Sequence, residues 1–128
     1  MFHIEVCEAR RIALLRFSGE LTEQHFAALD AMARERRGGE QFDVIFDMTD
    51  VLKVDLATEF IAKRGDLPPA FRDRERIYVV PQDDLRLLTR LFAGYQAARG
   101  WRAPIVVETL DEAFARLGVT APDFRRVT

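Results

Sequence analysis

An apolar run that ends in a carboxylate most constrains the fold of this chain. Val44, Ile45 and Phe46 follow one another without a polar residue, and Asp47 comes directly after them. The run predicts a strand at 44–48, apolar apart from Asp47, as is typical of a strand covered on both faces of a parallel sheet. Asp50 and Asp55 follow shortly afterwards. The sequence therefore predicts that a central strand delivers an acidic loop to the rim of an open α/β sheet, where such folds usually bind their ligands.

Apolar periodicity predicts four further strands. Alternating residues indicate a strand at 2–7, and more continuous apolar runs indicate strands at 12–17, 77–80 and 105–107. Because helices separate the later strands, these must run parallel, whereas the opening pair suits a hairpin.

Cap and stop signals predict four helices. The first is capped by Thr22 and ends at the glycines 38–39, and the second covers 56–64, capped by Asp55. The third is capped by Asp83 or Asp84 and ends at Gly100. The fourth opens with the capping-box pattern of Thr109 and Glu112.

The predicted element order is β-β-α-β-α-β-α-β-α. This is an α/β fold with a mixed, mainly parallel five-stranded sheet and about four helices. We assign residues 1–119 to this single domain and expect residues 120–128 to form a loosely ordered C-terminal tail.

Composition excludes several classes of protein. The chain has 128 residues, and 19 basic and 21 acidic residues give a net charge of −2, so no strong field attracts nucleic acid. Cys7 is the only cysteine, which excludes an intramolecular disulfide and favours a reducing compartment. No secretory signal or membrane-spanning apolar stretch is evident. We therefore expect a cytoplasmic protein without membrane insertion.

Two motifs resemble the STAS domain, which sulfate-transporter tails share with bacterial anti-sigma-factor antagonists. The segment Gly19-Glu20-Leu21 is similar to the Gly-Glu-Leu-Asp that precedes the first helix of many members. The segment from Asp47 to Asp55 resembles the family's Asp-Leu-Ser-Gly-Val-x-Phe-Ile-Asp without a gap. Segments near 76–80, 87–92 and 110–114 are similar to a divergent, stand-alone bacterial branch.

The resemblance implies a STAS-like fold and a protein-binding role. In the antagonists, Ser-Ser-Gly follows the aspartate that corresponds to Asp55, and a hydroxyl there is phosphorylated by an anti-sigma kinase. This chain has Leu56, Ala57 and Thr58 instead, with Thr58 at the family's glycine position. We therefore expect a non-enzymatic regulatory module that binds a partner, such as a kinase-like anti-sigma factor, without the phosphorylation switch. The expected partner interface comprises Asp50, Lys53, Asp55, Leu56, Ala57, Thr58 and Glu59.

The apolar third helix supports an alternative function. Its large side chains include Leu88, Phe92 and Tyr95, which recur at helical spacing. Core burial is the ordinary explanation. The alternatives are a homodimer surface, or a pocket between sheet and helix that binds a small apolar, lipid-like ligand.

Two groups of residues have both an enzymatic and a structural interpretation. Asp47, Asp50 and Asp55 could converge on Mg²⁺, but the ordinary explanation is that Asp55 caps a helix, Asp50 shapes a turn and Asp47 bonds loop amides. Cys7 with His3 or His25 could form a nucleophile, but a small buried thiol is common in cores. We therefore predict no catalytic residues, no metal and no cofactor.

Overall fold

The computed structural model describes residues 2–35, 42–69, 74–120 and 122–127. Its elements in chain order are β1 (Phe2–Cys7), β2 (Ile12–Thr22), α1 (Glu23–Glu35), β3 (Asp43–Asp55), α2 (Thr58–Gly65), β4 (Arg76–Val79), α3 (Asp83–Ala98), β5 (Ile105–Val107), α4 (Leu110–Arg116) and β6 (Arg125–Arg126). The predicted α/β class is confirmed, with a mixed sheet and four helices in the described part of the chain.

The sheet has six strands, in the order β5-β4-β3-β2-β1-β6. The pairs β2–β3, β3–β4 and β4–β5 are parallel, because a helix lies between the two strands of each pair along the chain. A short connection joins β1 to β2, and these strands are antiparallel. The strand β6 is antiparallel to β1.

The predicted count of five strands is wrong because part of the C-terminal segment joins the sheet. Arg125 and Arg126 pair with Val6 and Glu5. The backbone N–H of Val127 donates to the carbonyl of Ile4 at 2.8 Å. This pairing uses main-chain groups along the edge of β1, so two exposed arginines gave no apolar pattern from which to predict it.

Helices cover the sheet unevenly. The helices α1, α2 and α3 contribute Phe26, Phe60 and Phe92 to a core cluster on one face. The helix α4 contributes Ala113 and Phe114 to a second cluster on the other face. This division follows the path of the chain, which steps in one direction from β2 to β5 and then returns through α4 to the opposite edge. The central strands are therefore buried on both faces.

Several predicted helix boundaries need correction. The helix α2 begins at Thr58, and Asp55 is the last residue of β3 rather than its cap. Gln82 occupies the N-cap position of α3, which begins at Asp83. The predicted cap of α4 is confirmed, because Thr109 Oγ1 accepts the backbone N–H of Glu112 at 3.1 Å. The glycines 38–39 lie outside the described residues.

A histidine helps to fix the start of α1. The backbone N–H of Thr22 donates to Nδ1 of His25 at 3.1 Å, so this nitrogen must be unprotonated. The imidazole lies edge-on to Phe17, with ring centroids 6.3 Å apart. Burial lowers the pKa of His25, which favours the neutral form that can accept this bond.

Among the described residues, no helix is long and apolar enough to cross a membrane.

Candidate functional site

The third strand runs beyond the body of the sheet. The neighbouring strand β4 pairs with Val44–Asp47 only, and β1 pairs with residues up to Phe17 of β2. Further along, Ser18–Thr22 of β2 pair with Asp50–Asp55 of β3. The two strands thus continue as a parallel ribbon past the ends of their neighbours. We call residues 50–59, which comprise the end of β3 and the start of α2, the acidic arm.

Two irregularities shape β3 as it enters the acidic arm. Arg16 pairs with Asp47 and Ser18 with Asp50, so β3 contains one extra residue between them. A second extra residue lies between Val51 and Lys53, which pair with consecutive residues of β2. Such bulges bend a strand, increase its twist and redirect its side chains. Gly19 of β2 has φ +75°, a left-handed conformation that glycine adopts without steric cost.

Polar side chains hold the first bulge in place. Asp47 is 6% exposed, and its Oδ1 accepts the backbone N–H and the hydroxyl of Thr49 at 3.0 and 2.5 Å. Gln82 Nε2 donates to the carbonyls of Met48 and Val51 at 2.7 and 2.9 Å. The strand β4 stops opposite Asp47 and pairs with β3 no further. The Gln82 amide therefore supplies the hydrogen bonds that a longer β4 would have made to the carbonyls of β3. Gln82 was missed in the sequence because its partners lie more than thirty residues away.

The acidic arm presents most of the predicted interface residues to solvent. Leu56 is the exception, since it is half-buried and packs against the first core cluster. Ala57 occupies the N-cap position of α2 without a side-chain cap bond, and Thr58 begins the helix. Leu52 was not predicted, yet it is 89% exposed within β3. The exposed members of the predicted interface are Asp50, Lys53, Asp55, Ala57, Thr58 and Glu59.

An apolar cleft lies between the sheet, α2 and α3. Leu88 and Phe92 line it as predicted, together with Leu56 of the acidic arm. Tyr95 is not among its lining residues. This ring packs against α2, where a Cβ added to Gly65 would lie 2.3 Å from Tyr95 Cβ. The cavity volume of the cleft is about 30 Å³. Drug-sized ligands usually occupy pockets of roughly 300–1,000 Å³, so a larger ligand would need α2 and α3 to separate.

The chemistry of the cleft is apolar with one cationic group. Among its described lining residues, Arg64 alone is charged. Its guanidinium binds both carboxylate oxygens of Asp30, at 2.9 and 3.0 Å, and lies 4.8 Å from the centroid of the Phe26 ring. Burial raises the pKa of the Tyr78 phenol, which therefore stays neutral on the sheet side of the cleft.

The carboxylates proposed as an alternative metal site do not converge. Asp47 is buried and bonded to Thr49, whereas Asp50 and Asp55 are exposed further along the same strand. Within the residues that the structure describes, no group of three or more histidine, cysteine or acidic side chains could hold a metal ion.

The thiol and the imidazoles also lie in separate surroundings. Cys7 is buried in the second core cluster, while His25 packs against Phe2 and Phe17. The Nε2 of His3 lies 3.0 Å from a carboxylate oxygen of Glu5. No described contact links Cys7 to either histidine, so the structure offers no support for a thiol nucleophile.

Comparison with known proteins adds no assignment. The chain matches no protein-family model. It also matches no curated protein.

Proposed function

We propose that this protein is a non-enzymatic interaction module that binds a protein partner through the acidic arm. The observation that carries the proposal is the exposure of six of the seven interface residues, three on the ribbon that projects past the sheet and three at the start of α2. A rigid platform loses little conformational entropy when it binds. The bonds from Asp47 and Gln82 support such rigidity at the base of the acidic arm.

The arm combines an apolar contact with charges of both signs. Leu52 supplies the exposed apolar side chain, Lys53 the positive charge, and Asp50, Asp55 and Glu59 the negative charges. An apolar centre within a charged rim is the usual composition of a specific protein interface. Because burial of apolar area is favourable, Leu52 is the side chain that we expect to contribute most to affinity, with the charges setting orientation and rate of association.

The STAS-like motifs support a regulatory role in the cytoplasm. The partner that they suggest is a kinase-like anti-sigma factor, and binding would be constitutive because Leu56 and Ala57 stand where the antagonists have serines. Thr58 carries the nearest hydroxyl, at the first position of α2. We expect Thr58→Ala to leave binding unchanged, whereas loss of binding in that variant would indicate a hydroxyl-dependent switch.

A partner-capture experiment tests the acidic arm. Tagged protein is recovered from cells with its partners, alongside Lys53→Glu, Glu59→Lys and Leu52→Glu variants. Asp123→Lys is the matched control, because Asp123 is also exposed but lies outside the arm. We expect the three arm variants to lose partners that the control retains. The same set of partners for all four variants would contradict the proposal.

The cleft supports a second candidate, the binding of a small apolar ligand. Its apolar lining and its position between sheet and third helix favour this function, and Arg64 could exchange the carboxylate of Asp30 for an anionic head group. Fluorescence of 1-anilinonaphthalene-8-sulfonate, which is apolar and anionic, provides the assay. We expect Phe92→Ala to enlarge the cleft and strengthen probe binding, and Leu88→Trp to fill it and weaken binding. Equal binding by both variants would refute this candidate.

A further inference from the structure

The third helix has a second apolar face that its own fold does not use. Leu85, Thr89 and Gln96 are its buried residues. On the outward side, Leu87 is 68% exposed and Leu91 is 37% exposed. Gly94 and Ala98 continue the same line, at spacings of four, three and four residues, and both are exposed. Residues at this spacing form one continuous stripe along a helix. Such a stripe is typical of helices that pack against another helix.

Gly94 is the least expected member of this stripe. A glycine inside a helix costs roughly 1 kcal/mol relative to alanine, and one gain that offsets this cost is the close approach of another backbone. Among the described residues, a Cβ added at Gly94 would meet nothing within 4 Å, unlike one added at Gly65. The fold of one copy therefore gives no reason for a glycine there, whereas a close contact from outside the chain does.

We propose that α3 packs antiparallel against α3 of a second copy of this chain, about a two-fold axis between Leu91 and Gly94. In this register each large side chain faces a small one, with Leu87 opposite Ala98 and Leu91 opposite Gly94 of the second copy. Such alternation lets two helices approach closely. A parallel pair would instead place leucine against leucine and glycine against glycine, which leaves a gap at Gly94.

Charge also favours the antiparallel arrangement. Asp83 and Asp84 lie in the first turn of α3, while Arg99 and Arg102 follow its last turn and are exposed. Within the chain, Asp83 pairs with Arg86, Arg99 with Asp66 and Arg102 with Glu75, so contacts with a second copy would extend these exposed ion pairs. An antiparallel pair brings the acidic end of each helix beside the basic end of the other, and the helix dipoles oppose one another. A parallel pair would place like charges together at both ends.

The size of the interface sets the expected strength. A helix of 16 residues is about 24 Å long, so one helix pair lies at the small end of specific interfaces. We therefore expect a dimer that dissociates on dilution. The stripe is separate from the acidic arm, so this inference stands independently of the proposed function.

Sedimentation over about a hundredfold range of protein concentration tests the pairing. We expect the mass of the natural protein to rise towards that of a dimer and Gly94→Leu to remain a monomer. Leucine forms helices more readily than glycine, so the Gly94→Leu variant should unfold at the same temperature as the natural protein or at a higher one. Leu91→Ser, which removes the large side chain instead, should also remain monomeric. Leu52→Glu is the matched control at a distant exposed leucine and should still dimerise.

Three outcomes would overturn the pairing. These are a natural protein that is monomeric at every concentration, a Gly94→Leu variant that associates like the natural protein, and a Leu52→Glu variant that loses association. The last would place the contact on the acidic arm instead.

Disulfide trapping tests the register. Under mild oxidation, the Leu87→Cys and Ala98→Cys double variant should give a covalent dimer. Its two cysteines lie about 16 Å apart along one helix, so they cannot pair within a chain. Leu87→Cys alone should stay uncoupled, since antiparallel helices hold the two copies of position 87 about 16 Å apart. Cross-linking of the single variant would indicate a parallel pair and refute the antiparallel model. Cys7 is buried and common to both variants.

Discussion

Replacing Gln82 with alanine tests whether the acidic arm is held rigidly. The side-chain amide donates to two carbonyls, of Met48 and Val51, beside the first bulge of β3. A typical hydrogen bond contributes about 0.5–1.5 kcal/mol to stability, so losing two costs about 2 kcal/mol. In a domain of this size, that loss lowers Tm by roughly 8 °C.

The assay combines urea denaturation with hydrogen exchange. We expect Gln82→Ala to lower the free energy of unfolding and to speed amide exchange in residues 50–55 more than in β4 or β5. Gln24→Ala is the matched control, since Gln24 is an exposed glutamine of α1. A loss below about 0.5 kcal/mol, with unchanged exchange in the arm, would refute the reasoning.

The isosteric Gln82→Glu variant separates donor loss from loss of packing. An ionised carboxylate cannot donate and would face two carbonyl oxygens, so the neutral acid is favoured in the folded state and the pKa of this carboxyl should be raised. A raised carboxyl pKa gives stability at low pH that is lost as the pH rises through the folded-state value. We expect Gln82→Glu to be closer in stability to the natural protein at about pH 4.5 than at about pH 7. An equal deficit at both pH values would contradict the assigned orientation of the amide.

Three further predictions follow from packing, capping and charge. Gly65→Ala should lose several kcal/mol of stability or displace α2, because its Cβ would lie 2.3 Å from Tyr95 Cβ. Urea unfolding measures the loss of stability, and a loss below about 1 kcal/mol would contradict the close packing. Burial lowers the pKa of His25 in the folded state. The stability that the neutral imidazole contributes is therefore complete above the pKa of the unfolded state, near 6.5, and declines as the pH falls below that pKa. Melting curves across this range should show a decline that His25→Gln removes and His3→Asn retains; an unchanged slope in His25→Gln would show that another group is responsible. Thr109→Ala should lose about 1 kcal/mol through the cap of α4, and no change in urea midpoint would indicate that water replaces this bond.

The sequence predicts the strand and helix order well because apolar periodicity is a local signal. Val44 to Phe46 are buried in a central strand, and the capping box at Thr109 forms as expected. The limits of β3 were mispredicted because Asp55 before an apolar residue resembles a helix cap. The strand instead continues to Asp55 by pairing with Ser18–Thr22, a segment whose polar residues resemble a loop.

The candidate sites were predictable only where a single helix or loop determines exposure. Leu88 and Phe92 line the cleft because they follow helical spacing on the sheet side of α3. Tyr95 shares that spacing, but contact with Gly65 of α2 removes it from the cleft. Gln96, which is 1% exposed, donates to the carbonyls of Gly65 and Leu67 across the same helix pair. Such partners depend on how two helices meet, which a single sequence does not encode locally.

The most direct test of the interaction surface is photo-crosslinking in cells from a reactive amino acid placed at position 52. We predict that this variant traps a discrete protein partner, that the same group at position 123 does not, and that Lys53→Glu reduces the trapped product. Identical crosslinking patterns from positions 52 and 123, or a product insensitive to Lys53→Glu, would contradict the claim that the acidic arm binds the partner.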